Sequence, residues 1–293
     1  MAELNRAQEM VQARPHRRMV WRKLRRHRMA LVGMVVMAIL IVGALVGPLL
    51  SPYDIYRSDL ERIERPPSFD HPMGTDDLGR DELTRVCAGG RITLLIGLMA
   101  AGLSIAVGCV AGSFAGYYGG LTDSLLMRLT DMLISFPQLL LMMLFASLVG
   151  KNLVSIAVVI GSLSWMGIAR LVRVAFLWLK EEDFTLAARS IGATDWQIMA
   201  RHILPNAMGP VFVAGTLCVA QAIITESALS YLGLGVQQPT ATWGGMLRLA
   251  QDQLASATWL SVFPGLMIVI SVLSLNFIGD GMRDALDPRH LLK

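Results

Sequence analysis

The chain has 293 residues, of which 54% are hydrophobic and only 16% are charged, and its net charge is +4. Soluble domains carry about 25% charged residues, so this composition excludes a soluble domain, a disordered chain and a small disulfide-bonded scaffold. It predicts an integral membrane protein. The Lys and Arg residues cluster near the N-terminus, which favours lipid headgroups rather than nucleic acid as the anionic partner.

The first predicted element is a basic segment at residues 1–28. Nine Lys or Arg residues precede Met29, and the positive-inside rule therefore places the N-terminus in the cytoplasm. Val20, Trp21 and Leu24 recur at helical spacing within this segment. This spacing predicts a short interfacial helix before the first membrane crossing.

Six apolar runs are long enough to cross a bilayer, which takes about 20 residues. They lie at 29–50, 92–122, 132–150, 152–169, 203–225 and 253–279. Six crossings return the C-terminus to the cytoplasm and make the chain an all-α polytopic membrane protein. In this scheme residues 51–91 form an extracytoplasmic loop, and residues 92–293 form a core of five transmembrane helices. Residues 227–247 are rich in Gly and Gln, and we predict a loop after their first residues.

The cytoplasmic connection at residues 180–206 carries more local signals than an ordinary loop. We predict, in order, a helix at 184–190, a left-handed turn at Gly192, a helix at 195–202 capped by Thr194, and a membrane helix starting at Pro205. The result is a helix–glycine–helix elbow that could act as a rigid lever. An ordinary structured connection between two spans is the alternative interpretation.

The extracytoplasmic loop contains a dense group of acids and bases at residues 74–85. Arg80 and Arg85 are close in sequence to Asp76, Asp77 and Asp81, and we expect ion pairs among them. Such pairs would form a cap over the outer ends of the helices.

Charged side chains also occur within or beside the apolar runs. Glu226 follows a charge-free run, and a carboxylate in the membrane usually faces a cavity or a partner. In one interpretation Glu226 lines a substrate path. In the other, it bonds to the backbone of a neighbouring helix at the outer end of its span. Arg170 and Arg173 are expected to extend towards lipid headgroups, and Asp131 is expected to pair with Arg128 on the same helix.

The sequence offers no signal for catalysis or metal binding. The three cysteines form no CxxC pair, and no two histidines have the spacing of metal ligands. The glycines at 74 and 79 have the spacing of a phosphate loop, but Arg80 and Asp81 replace the required Lys and Ser/Thr. An intramembrane enzyme would need paired catalytic groups within the membrane, which the apolar runs lack. An ion channel would usually need a ring of polar or charged filter residues. We therefore expect a chain that is not an enzyme, has no cofactor of its own and cannot be an ATPase.

Four segments resemble a known family. Residues 186–205, with Ala187-Ala188, Gly192 and the Leu-Pro pair ending at Pro205, are similar to the EAA motif of ABC importer permeases, although Leu186 replaces the usual Glu. Residues 71–85, 226–244 and 276–288 resemble the HPxGTDxxGRDxxSR, ESxLSFLGLG…WG and NxxGDGLRDxLDP stretches of dipeptide and oligopeptide permeases. The chain thus resembles the C-type permease subunit of peptide/nickel ABC importers.

This resemblance implies a type I importer permease in a bacterial inner membrane, forming half of a translocation path for di- or oligopeptides. Its partners would be a homologous B-type permease, two ATPase subunits that hold ATP and Mg, an extracytoplasmic substrate-binding protein and membrane lipid. Nickel or another small solute is the alternative cargo, and the sequence does not identify the solute. The residues implied to couple to the ATPase are Phe184, Ala187, Ala188, Gly192, Ala193, Trp196, His202 and Pro205. Those implied to form an outer lip for the binding protein are Gly74, Thr75, Asp76, Gly79, Arg80 and Asp81.

Overall fold

The computed structural model describes residues 27–286, and this part of the chain is almost entirely helical. The interfacial helix predicted before residue 27 lies outside the described residues. The helices are α1 Arg28–Leu50, α2 Glu82–Tyr118, α3 Gly120–Ser135, α4 Gln138–Leu148, α5 Leu153–Ser162, α6 Met166–Leu179, α7 Asp183–Ser190, α8 Asp195–Gln197, α9 Leu204–Tyr231, α10 Trp243–Ala250 and α11 Trp259–Leu286. A π-helical turn, Ile198–Ile203, joins α8 to α9.

The apolar helices support the prediction of a polytopic membrane protein. Four helical segments are long and apolar enough to cross a bilayer, namely α1, α2, the continuous stretch Asp195–Tyr231 and α11. Two further pairs pass the same test together but are bent, by 89° between α3 and α4 and by 46° between α5 and α6. The described chain therefore contains four to six membrane helices.

The bend between α3 and α4 corrects the prediction of one uninterrupted span at 132–150. Phe136 has an extended backbone conformation and is followed by Pro137. A proline disfavours the helical conformation of the residue before it and cannot donate a backbone hydrogen bond. The helix therefore ends at Ser135 and restarts in a new direction at Gln138.

Helix α2 is the central element of the fold and has 37 residues. At 1.5 Å per residue it is about 55 Å long, which exceeds the hydrocarbon thickness of about 30 Å. Three glycines, Gly108, Gly112 and Gly116, bring it close to α6, because a Cβ atom at Gly108 would lie 2.6 Å from Ile168 Cβ. This small-xxx-small pattern lets two membrane helices approach closely.

The segment after α9 contains more structure than the predicted loop. Helix α9 continues to Tyr231, as expected, but a short helix α10 begins at Trp243. The Trp243 indole N–H donates to the Val86 carbonyl at 2.9 Å, and its backbone N–H donates to Thr93 Oγ1 at 3.2 Å. These bonds attach α10 to the first turns of α2.

Candidate functional site

The elbow, defined as residues 183–203, lies at the C-terminal end of α2. Gly192 has φ of +87° and ends α7, with its N–H donating to the Arg189 carbonyl at 3.1 Å. The Ala193 N–H donates to the Ala188 carbonyl at 3.1 Å, which completes a Schellman motif. The helix predicted at 184–190 and the left-handed turn are thus confirmed.

The second arm of the elbow begins with a reciprocal cap. Thr194 Oγ1 accepts from the Gln197 N–H at 3.4 Å, and Gln197 Oε1 accepts from the Thr194 N–H at 3.0 Å. This capping box satisfies two backbone donors that a helix start would otherwise leave unpaired. The predicted capping role of Thr194 is confirmed.

The second arm is continuous with the membrane helix, which corrects the prediction of a separate helix at 195–202. The helical backbone runs from Asp195 to Tyr231, and the π-helical turn lies immediately before Leu204. Pro205 falls in the first turn of α9, where its missing N–H is tolerated. A movement of the elbow is therefore a movement of the end of a membrane helix.

The elbow packs against the core through buried residues and exposes several large apolar side chains. Ala188 and Ile198 are buried in a cluster with Val172 and Phe176 of α6. The exposed large apolar residues of the elbow are Phe184, Leu186, Ile191 and Trp196, with Ile191 86% and Trp196 68% exposed. Among the other residues implied to couple to the ATPase, Ala187, Gly192 and Pro205 are exposed, while Ala193 and His202 are half-buried.

Two interhelical ion pairs join α3 to α6 near this end. Arg173 binds both carboxylate oxygens of Asp123, with Nη2 2.6 Å from Oδ2, and Arg170 Nη2 lies 2.5 Å from Asp131 Oδ1. The predictions that the arginines extend to headgroups and that Asp131 pairs with Arg128 are therefore wrong. The reason is that α3 runs back beside α6, which brings carboxylates from a distant part of the sequence within reach of both arginines.

The cap, defined as residues 59–85, lies at the opposite end of α2. Asp76 is its centre: Oδ2 accepts from Arg80 Nε at 2.7 Å and forms an ion pair with Arg85, whose Nε lies 3.2 Å away. Asp81 caps α2 by accepting from the Thr84 N–H at 2.9 Å. The predicted pairing of both arginines with these acids is confirmed.

All residues implied to form the outer lip are buried inside the cap. They are Gly74, Thr75, Asp76, Gly79, Arg80 and Asp81. Gly79 has φ of +73°, and a Cβ atom there would overlap the Asp59 carbonyl. Partial burial and then the charge of Asp76 raise the pKa of Asp77 above its usual value, while Arg80 and Arg85 oppose the rise. These side chains build the interior of the cap, which corrects the expectation that they form its outer surface.

Glu226 lies on α9 and is fully buried within the chain, facing α2 and the start of α10. Ser230 Oγ donates to Glu226 Oε1 at 2.7 Å, and the hydroxyls of Thr93 and Thr242 lie close by. Among the described residues, Oε2 has no hydrogen-bond partner. The observed bond is to a hydroxyl of the same helix, one turn further on.

No group of three potential metal ligands occurs within residues 27–286. The three cysteines are free and half-buried.

Comparisons with known proteins agree with this architecture. The family described as the binding-protein-dependent transport system inner membrane component matches residues 108–291, and the N-terminal TM domain of oligopeptide transport permease C matches residues 17–67. A chain of the MetNI methionine ABC transporter, solved in an inward-facing conformation, superposes with a TM-score of 0.56 at 19% identity. The match covers 69% of this chain and 96% of that chain, and shows a shared fold.

Several relatives are similar over most of their length. The dipeptide transport system permease protein DppC of Bacillus subtilis is 41% identical over 92% of this chain and 84% of that protein. The oligopeptide transport system permease protein OppC of Haemophilus influenzae is 39% identical over 92% of this chain and 87% of that protein. The glutathione transport system permease protein GsiD of Escherichia coli is 39% identical over 92% of this chain and 89% of that protein. The resemblance found in the motifs is confirmed, and the chain belongs to the family of binding-protein-dependent transport system inner membrane components.

Proposed function

We propose that this chain is one transmembrane subunit of an ATP-driven importer of di- or oligopeptides, and that the elbow receives the movement of a separate ATPase subunit. The observation that carries the proposal is the elbow itself. It is capped at both arms and continuous with α9, and it exposes Phe184, Ile191 and Trp196. Large apolar side chains exposed on a short, capped element outside the membrane helices are expected to be covered by a partner.

The positions of the connecting loops support six crossings with both termini in the cytoplasm. Lys151 Nζ, between α4 and α5, donates to the Gly233 carbonyl beyond the far end of α9 at 3.1 Å. Thr185 Oγ1, in the elbow, donates to the Leu179 carbonyl at the end of α6 at 2.7 Å. Each bent pair therefore runs from one end of the fold to the other, as a crossing would. The basic N-terminal segment favours a cytoplasmic location for the elbow end.

The peptide cargo is inferred from the names of relatives that are about 40% identical, which are dipeptide and oligopeptide permeases. Nickel or another small solute is the alternative. A homologous permease would supply the other half of the path, and a binding protein would deliver the cargo at the cap end. ATP and Mg would be held by the ATPase subunits, and all of these would assemble at a bacterial inner membrane.

The test substitutes Gly192 in the complete complex reconstituted in liposomes. A side chain at φ of +87° costs about 1 kcal/mol, and Gly192→Glu also places a charge beside the exposed Ile191. We expect normal membrane insertion but loss of ATP-dependent uptake of a labelled dipeptide. Gly120→Glu is the matched control, because Gly120 also has positive φ and open space but lies outside the elbow.

Uptake at the wild-type rate in Gly192→Glu would exclude the elbow as the coupling element. Uptake in the absence of ATP would indicate a channel instead of a pump.

A further inference from the structure

The end of α2 contacts both arms of the elbow through Tyr117. Tyr117 lies in the last turn of α2 and is 9% exposed, and its hydroxyl donates to Asp195 Oδ1 at 2.6 Å. Arg189, on the other arm, lies beside the same hydroxyl. Asp195 and Arg189 lie on either side of the Gly192 turn, so the Tyr117 hydroxyl lies between the two arms.

The other contacts of the elbow in this region are mainly apolar. The Tyr117 ring belongs to the same cluster as Ala188, Ile198 and Phe176. Apolar contacts are non-directional, so they hold the elbow against the core without fixing its angle to α2. A hydrogen bond to a carboxylate is directional and stronger than one between neutral groups. The bond to Asp195 is therefore a directional contact between the elbow and the end of α2.

Helix α2 is suited to carry a displacement from the elbow to the cap. It is continuous over 37 residues, it starts at Asp81 in the cap, and it ends one residue after Tyr117. The three glycines that face α6 let the two helices pack closely over the half of α2 nearest the elbow.

We propose that the Tyr117–Asp195 hydrogen bond transmits movement of the elbow to α2, which makes Tyr117 a positioning residue for transport. This inference rests on the proposed function of the elbow. It adds a second route into the membrane region, parallel to the covalent route from α8 into α9. Tyr117 connects the elbow to the helix that reaches the cap.

The test is Tyr117→Phe in the reconstituted complex, which removes one oxygen atom and keeps the ring in its apolar cluster. The measurement is the number of peptides transported per ATP hydrolysed. This change removes the directional contact between α2 and the elbow, so we expect the ratio to fall about tenfold. Tyr118→Phe is the matched control, because it removes the same atom from the neighbouring exposed ring.

Variants of Asp195 test the partner of the bond. Asp195→Asn keeps an oxygen acceptor but loses the charge, and we expect a ratio between that of the wild type and that of Tyr117→Phe. Asp195→Ala should lower the ratio as Tyr117→Phe does. Combining Asp195→Ala with Tyr117→Phe should then add little, because two changes that remove one interaction are not additive.

Two results would overturn the inference. One is a wild-type ratio of transport to hydrolysis in Tyr117→Phe. The other is a parallel loss of transport, hydrolysis and thermal stability, which would make the tyrosine a structural residue only. If Gly192→Glu abolishes uptake while Tyr117→Phe keeps the wild-type ratio, the elbow retains its proposed function and only this inference fails.

Discussion

Glu226 is a carboxyl group enclosed by hydroxyls of its own chain, with one oxygen bonded to Ser230 and the other without a partner among residues 27–286. Glu226→Gln keeps the shape and an acceptor for the Ser230 hydroxyl, so we expect little change in stability. Glu226→Leu removes that acceptor and leaves a buried hydroxyl unpaired, which costs about 1–3 kcal/mol. Thermal unfolding of the purified complex in detergent measures both effects.

Transport assays on Glu226→Gln separate a structural role from a role in the path. Because the side chain is enclosed, we expect a peptide with a free ammonium terminus and its acetylated form to be affected equally. A selective loss for the free ammonium form would place Glu226 on the substrate path.

At the scale of elements, the interface between α2 and α6 depends on the absence of side chains. A Cβ atom at Gly112 would lie 2.7 Å from Val172 Cβ, whereas one at Gly102 would have nothing within 4 Å. We expect Gly112→Ala to destabilise the protein by about 1–3 kcal/mol through overpacking. Gly102→Ala, on the same helix, should stabilise it by about 0.5–1 kcal/mol because alanine is the better helix former.

The midpoint temperature of thermal unfolding should therefore be lower than that of the wild type for Gly112→Ala and higher for Gly102→Ala. Equal shifts for both would mean that the glycines of α2 affect only helix propensity and that α6 does not pack against them.

The elements that the sequence predicts well are those specified by neighbouring residues. The elbow follows from Gly192, Thr194 and the residues within one turn of them, and the pairing of Arg80 and Arg85 involves acids a few positions away. The sequence also signalled the bend, through Pro137 itself. It signalled the close approach of α2 to another helix as well, through the four-residue spacing of the α2 glycines. No local sequence signal predicted the pairs Asp123–Arg173 and Tyr117–Asp195, because the partners are 50 and 78 positions apart. Only the packing of α3 and the elbow against α2 and α6 brings them together.

At the scale of the whole molecule, α2 connects two of the four segments that resemble family motifs, those in the cap and in the elbow. The cap is built on its first turn through Asp81, and the elbow contacts its last turn through Tyr117. The predicted span at 92–122 includes most of this helix but misses its first ten residues, because the charges of the cap mask the helical signal there. A long helix that projects beyond the bilayer can report events on one side to the other.

The side on which each end lies can be tested by labelling single cysteines with a membrane-impermeant maleimide. The background replaces Cys87, Cys109 and Cys218, and the test positions are Phe69, Leu148 and Ile191, all of which are exposed. With six crossings and a cytoplasmic N-terminus, Phe69→Cys and Leu148→Cys should react from outside. Ile191→Cys should react only after permeabilisation, which also serves as the control that every site is reactive. If the bent pairs α3–α4 and α5–α6 both turn back without crossing, Leu148→Cys will be protected while the other two are unchanged. Reversed labelling at Phe69 and Ile191 would place the elbow outside the cell, where no cytoplasmic ATPase could reach it.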